Sequence, residues 1–446
     1  MFDVRCSSSE SGSVLILVLW IALGLATLTI YFANSSSLEL QAADNRTAGL
    51  SSDEAIDGAA RYVTFVLANY ATNGAMPDQT YYQSAAVPVG DARFWLIGRD
   101  TNSPPLNPDQ VVFGLTDENS KLNLNTATLG MLQSLPNIDP DFAANIITWR
   151  TNDTSSGGVG PEEYAMLSPP YSPKEAPFET TDELRLVYAS DMTTLVGEDA
   201  NRNGALDPNE TDLNRNSQCD PGILEYVTVY SREPNTHSDG TALINVRTMN
   251  GQARAQLSQL FATNFDQTTA TNIMRRIGNN GSASPLRFYV LSGMTADQFA
   301  QIAGQITTVT NQYIDGRINI NTANPAVLYC IPGLSNYVSQ VVSYRQSNPD
   351  KLASIAWVID AAGVTGNDAT TLANQIGNRI TTRSYQFMAD VAAVGSFGRG
   401  YRRVRFIFDT SEGVPKIIYR RDMTHLGWAL GKNVRDVVLA KNTQND

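Results

Sequence analysis

The sequence predicts an α+β protein with a long N-terminal helix, an antiparallel sheet, and a large, mainly helical domain inserted into that sheet. Three observations carry this expectation. An uncharged apolar run near the N-terminus passes without a break into a weaker helical pattern. Three Asn-rich repeats follow in the middle of the chain. After Ser384 the hydrophobic pattern changes to period two, the signature of strands.

No charged residue lies between Glu10 and Glu39, and Val14 to Ala33 is almost wholly apolar. A run of about twenty residues at ~1.5 Å each spans the ~30 Å core of a bilayer. A cleaved secretory signal has a shorter apolar stretch, although Ala33-Asn34-Ser35 would serve as its cleavage site. Beyond the run, Leu38, Ala42, Ala48, Ala55 and Ile56 keep a helical spacing, thinned around Gly49, that leads into Ala59 to Leu67. Residues 13–70 therefore read as one helix whose first half faces membrane lipid and whose second half is amphipathic.

The repeats start at Lys121-Leu122-Asn123-Leu124-Asn125-Thr126-Ala127, at Leu243-Ile244-Asn245-Val246-Arg247-Thr248 and at Arg317-Ile318-Asn319-Ile320-Asn321-Thr322-Ala323. Each offers a short alternating strand, then a helix start; Pro325 suits the first turn after an Asn cap. Second helices are expected at Phe142 to Arg150, Ala270 to Ile277 and Val338 to Arg345. Helix, turn, helix is the helix-hairpin-helix plan, whose turn can offer N–H groups to a phosphate. These repeats carry few lysines and arginines, so packing modules are the favoured reading and nucleic acid is disfavoured as a partner. The whole-chain net charge of -12 points the same way.

Asp199 to Glu210 fits the twelve-residue EF-hand loop slot by slot. Asp199, Asn201 and Asn203 hold positions one, three and five, and Gly204 holds the turn at six. Ala205 offers a carbonyl at seven, Asp207 sits at nine, and Glu210 can bind with both oxygens at twelve. Alternate residues of a curled loop put oxygens on one side, as a hard cation requires; Ca2+ is the expected ion. A solvated Asx-rich loop is the plain alternative. Asp212, Asn214, Asn216 and Asp220 repeat the oxygen spacing, but Ser217 replaces the glycine and Ile223 the glutamate, with Glu225 as a distant candidate ligand. The whole calcium region spans 199–225.

At the C-terminal end, Tyr385 to Val391, Tyr401 to Phe408 and Lys416 to Arg420 read as an antiparallel meander, turned at Gly395 to Gly400 and at Gly413-Val414-Pro415. Phe94 to Ile97 and Val111 to Leu115 are further strand candidates. The β domain is therefore expected from residues 71–115 with 380–446, and the inserted domain from 116–379. Tyr226 to Tyr230 is a strand candidate within the insertion that could return to the sheet. Residues 399–446 are locally basic, which suits a solvated sheet face or an acidic neighbour. The two histidines, His237 and His425, have no ligand spacing, and no phosphate loop, nucleophile elbow or HExxH occurs; no catalytic residue is assigned. Cys219 and Cys330 can pair in an oxidising compartment or stand as two structural thiols.

In combination, these pieces resemble the K-type minor pseudopilins of type II secretion systems. Gly12, directly before the apolar helix, resembles the cleavage point of a type IV pilin-like prepilin leader, which makes 1–12 the leader and Ser13 the mature start. Leu17 then takes the fifth mature position, where most pilins and pseudopilins carry glutamate and K-type proteins typically do not. The leader departs from the usual basic type in carrying Asp3 and Glu10 beside Arg5. The LNLNTA and later LPG-like pieces, Asp182-Glu183-Leu184-Arg185 and Tyr226 to Ser231 extend the resemblance to residue 430. It implies a pilin-like sheet on the N-terminal helix, bound calcium, and a single-pass inner-membrane protein with a periplasmic body. It also implies assembly with I- and J-type minor pseudopilins at the pseudopilus tip. The inner-membrane secretion platform, secreted substrates and the outer-membrane secretin are further implied partners. The rival reading is a membrane-anchored helix-hairpin-helix DNA-binding protein, or a type IV pilus or competence protein.

Overall fold

The computed structural model describes residues 11–71, 74–100 and 109–443; the part of the expected leader before Ser11 lies outside the described residues. One helix of 60 residues, Ser11–Tyr70, forms the N-terminal element. Every large apolar side chain from Val14 to Phe32 is exposed on it. Further along, Ala48, Ser52, Ala55, Ile56, Ala59, Val63, Val66 and Leu67 are buried at three- and four-residue steps. That spacing puts them on one stripe of the helix, and the stripe lies against a sheet. Gly49 marks the beginning of this contact and does not break the helix.

The sheet is antiparallel and runs in the order Val87–Val89, Ala92–Ile97, Gln386–Val394, Arg402–Asp409, Lys416–Asp422. Gln386–Val394 is the central strand. Its C-terminal half pairs with Ala92–Ile97 and its N-terminal end with Thr116–Asp117, in the register Val391 to Leu96 and Phe387 to Asp117. Phe387, Ala389, Val391 and Ala393 face the N-terminal helix together with Phe94, Leu96, Val404, Phe406 and Phe408. Ala392 and Val394 face the other way and meet Trp95, Ile97, Ala429 and Leu430. Both faces are therefore covered, and every residue of the central strand is buried. The turn into the next strand presses on the helix: a Cβ on Gly395 would stand 2.1 Å from the Ala48 carbonyl oxygen.

Two strand expectations are corrected. Val111 to Leu115 does not form a strand of its own; Phe113 makes a single bridge to Ile97, and regular pairing starts only at Thr116. Tyr226 to Tyr230 does not return to the main sheet, because Val227-Thr228 pairs in parallel with Leu122-Asn123.

That pairing recurs. Ile244-Asn245 pairs with Ile306-Thr307, and Ile318-Asn319 with Ile380-Thr381, both in parallel. Each repeat thus opens on an apolar-Asn strand, runs through its helices, and closes on an apolar-Thr strand beside its own start. The first and second helices are Leu129–Gln133 and Pro140–Thr151, Gly251–Asn264 and Gln267–Ile277, then Pro325–Tyr329 and Val338–Ser347. The opening asparagines turn the chain locally: Asn123, Asn245 and Asn319 each accept from the N–H two residues on. A continuous apolar core joins the three repeats.

The two free cysteines among the described residues lie in this body. Cys330 is buried and donates to the Ala326 carbonyl, and burial pushes its thiol up to about 12. Arg150 and Arg345, the cations of two second helices, are turned inward. Arg150 donates to the carbonyls of Leu124 and Ala127, and Arg345 to those of Ile320 and Ala323. Their guanidinium groups tie the second helix to the strand-to-helix turn and are engaged there by main-chain carbonyls.

Candidate metal centre

The short helix Met192–Val196 is capped by Asp191 and ends at Gly197, where the chain enters the loop. Asp199 then organises its first turn, with Oδ1 accepting from Asn203 N at 2.9 Å and Oδ2 from Gly204 N at 2.8 Å. Gly204 sits at φ +81°, in the left-handed region that this turn requires. Asn201 Oδ1 and Asn203 Oδ1 accept from the N–H groups of Asn203 and Ala205. Asp207 Oδ2 accepts from the side-chain amides of Asn201 at 2.7 Å and Asn203 at 2.8 Å. Glu210 reaches back to close the loop, accepting from Asn201 N at 3.1 Å and Asp207 N at 3.0 Å. Asp199, Asn201, Asn203, Ala205 and Asp207 are all buried.

Burial raises the Asp199 and Glu210 carboxyls above their ordinary range, and Asp199 and Asp207 push Glu210 the same way. A divalent cation held among them would relieve both effects. Among the described residues no three His, Cys, Asp or Glu side chains converge tightly enough to hold an ion by themselves. The donor set is completed by two amide oxygens and main chain, all oxygen, which is what a hard cation takes. Each Glu210 oxygen uses one acceptor direction on backbone and keeps another free.

Asp212 to Asp220 copies the first loop. Asp212 accepts from Asn216 N and Ser217 N, Asn214 from Asn216 N, and Asn216 from Gln218 N. Asp220 Oδ2 accepts from the amides of Asn214 and Asn216. Ser217 takes the left-handed turn at φ +59°, in the place of Gly204. A carboxylate upstream of the loop closes it instead. Glu198 accepts from Leu213 N at 2.6 Å and Asp220 N at 3.1 Å, the second and ninth places of this loop, where Glu210 takes the third and ninth of the first. Sequence spacing pointed downstream to Glu225, and the structure corrects that: Glu225 is engaged by Arg99, Nε to Oε1, at 2.7 Å. Glu198 was missed because it precedes the loop that it closes by hydrogen bonds. Unlike the first loop, Asn214 and Asn216 are exposed and Asp212 is only half-buried.

The first loop rests on a buried ionic cluster of the sheet. Arg403 donates to the carbonyls of Asn201 and Arg202, and Arg99 donates to that of Arg202 at 2.9 Å. Behind them Asp390 holds Arg403 and Arg405 at 2.8 and 2.6 Å. Burial alone would raise the Asp390 carboxyl, but these guanidinium groups hold it well below the usual carboxylate range.

Gly12 and Ser13 lie in the first turn of the N-terminal helix, and Leu17 is exposed among exposed apolar neighbours. The helix is long and apolar enough to cross a membrane, and none of its most apolar window is buried in the protein.

No family model matches this chain. No curated protein matches it. Among solved structures, the chain is similar to one from the GspK-GspI-GspJ complex of the enterotoxigenic Escherichia coli type 2 secretion system. The similarity covers 87% of this chain and 99% of that one, with a TM-score of 0.41 and 11% identity.

Proposed function

We propose that this chain is a K-type minor pseudopilin, a membrane-anchored, non-enzymatic subunit of a type II secretion machine. The observation that carries the reading is the single Ser11–Tyr70 helix, bare and apolar in its first half and packed on an antiparallel sheet in its second. That arrangement anchors a folded body directly to lipid through a rigid rod. The Leu-Asn repeats and the oxygen-lined loop add the body that the sequence resemblance calls for. In this role the I- and J-type minor pseudopilins are its partners, and the bulky body caps the assembly at its tip. An unpaired charge at mid-bilayer costs at least a few kcal/mol. Leu17 offers no carboxylate to neutralise a neighbour's terminal amine there, and the topmost place is where that absence matters least. Calcium in the loop at Asp199 to Glu210, and in its copy at Asp212 to Asp220, clamps the long excursion between Val196 and Leu224; the copied loop takes Glu198 as its closing carboxylate.

The inward-turned Arg150 and Arg345 weigh against the DNA-binding alternative, since those cations are engaged by carbonyl groups. Intact-mass measurement of the membrane-extracted protein tests the anchor. The reading expects a mature chain beginning at Ser13 and an uncleaved precursor for Gly12→Val. A mature start near Ser35 would remove the anchor and overturn the proposal.

A further inference from the structure

The C-terminal segment consists of a turn at Thr424–Leu426, the stretch Gly427 to Leu430, and the helix Gly431–Thr443. Ala429 and Leu430 are buried against Trp95, Ile97, Ala392 and Val394, on the sheet face opposite the membrane-anchored helix. Trp428 packs on Tyr401 with ring centroids 5.1 Å apart. What fixes the main chain of this stretch is the first loop. Asn201 Nδ2 donates to the Trp428 carbonyl and Asn203 Nδ2 to the Ala429 carbonyl, each at 3.2 Å.

We infer that the loop is a cation-dependent clasp for the C-terminal segment; this rests on reading Asp199 to Glu210 as a calcium site. A carbonyl oxygen can only accept, so it fixes which end of each amide faces it. The same Nδ2 groups donate their other hydrogens to Asp207 Oδ2, at 2.7 and 2.8 Å, so Asp207 and the segment carbonyls together hold both amides with Oδ1 on the side of the Asn203 and Ala205 N–H groups, where a hard cation would meet them. A docked segment therefore reinforces the orientation of two ligand oxygens, and a bound cation, by drawing on those oxygens and on Asp207, holds two donors toward the segment. The coupling is reciprocal by linkage: whatever factor calcium adds to docking, docking adds to calcium affinity. The loop stands on Arg403, whose own main chain also holds the segment. Its carbonyl accepts from Met423 N at 2.8 Å, and its N–H donates to Thr424 Oγ1 at 3.0 Å. Loop, central sheet and C-terminal segment thus meet at one residue, and release of the segment would uncover the apolar strip around Trp95, Ile97 and Val394.

Hydrogen exchange read by mass spectrometry on the full chain in detergent micelles tests this, with calcium or with EGTA. Amides over residues 424–431 should exchange at least about tenfold faster in EGTA, while those of Gln386–Val394 change far less. Calcium binding is measured on the same preparation by titration calorimetry. Binding with unchanged exchange at 424–431 would overturn the clasp and leave the calcium site standing; no binding would overturn both. Leu430→Ala supplies the reverse arm. Loosening the segment should weaken calcium affinity by about threefold or more, and an unaltered affinity in a variant whose 424–431 exchange has risen would contradict the linkage.

Discussion

Arg403 lies fully buried with its guanidinium on both oxygens of Asp390, Nε to Oδ1 and Nη2 to Oδ2, each at 2.8 Å. The same group donates to the main chain of the candidate metal loop, so one side chain ties the central strand to that loop. Removing one partner of a buried pair typically costs about 3–5 kcal/mol, an upper bound here because Arg405 still meets Asp390. Arg403→Leu should lower stability by that order and also weaken calcium binding, read by denaturant unfolding and titration. Because the Asp390 carboxyl is held low, its contribution is present above the unfolded value near 3.8 and lost as pH falls below it. A variant of unchanged stability would show the cluster to be dispensable.

Glu210→Gln removes one charge from the first loop and should weaken calcium by about tenfold or more, equivalent to ~1.4 kcal/mol. The unmutated full chain should melt higher with calcium than with chelator, since only the folded loop gathers the ligands. Glu198→Gln tests the copied loop separately. It should lower the number of ions bound by one while leaving the first loop's affinity nearly unchanged. Equal melting with calcium and with chelator in the unmutated chain would rule the calcium reading out.

Asp117 links the sheet to the third repeat, accepting from Asn319, Thr322 and Ser384 with no cation among its hydrogen-bond partners. Burial pushes its carboxyl up to about 6, against those hydrogen bonds. A raised carboxylate pKa means the folded state binds the extra proton. Its contribution is full below pH ~4 and is lost as pH rises to about 6, by up to about 3 kcal/mol. Melting followed in chelator at pH 5 and pH 7 should therefore shift less for Asp117→Asn than for the parent chain. Identical pH responses would remove Asp117 from the account.

Gly395 stands where any Cβ would meet the Ala48 carbonyl of the anchor helix. Gly395→Val should push the hairpin off the helix, destabilising the body by about 1–3 kcal/mol through overpacking. Protease sensitivity around residues 395–401 should rise with it. A variant as resistant as the parent would show that the helix and sheet tolerate separation there.

The N-terminal helix, the main strands and the repeat starts were legible because each depends on local periodicity. Val14 to Ala33 is almost wholly apolar, Tyr385 to Val391 is bounded by turn residues, and the asparagines of Leu122-Asn123 and Ile318-Asn319 recur at fixed places. The closing strands Val227-Thr228, Ile306-Thr307 and Ile380-Thr381 were not read as partners, since two-residue strands carry no period and their pairing is long-range. An apolar residue before threonine at the end of each repeat was the available signal. Glu198 was hidden for a related reason: ligand spacing is counted forward from the first aspartate, and this carboxylate enters from behind. The roles of Arg403, Trp428 and Ala429 at the loop were illegible because they arrive from about two hundred residues away.

The assignment as a K-type minor pseudopilin is tested most directly by what the full chain assembles with. The tagged chain, extracted in mild detergent from cells that also express the I- and J-type minor pseudopilins of the same organism, is weighed by native mass spectrometry. The account predicts a complex holding one copy of this chain with both partners, cut at Ser13 and free of nucleic acid. A chain recovered without either partner, or one that retains bound nucleic acid instead, would contradict it.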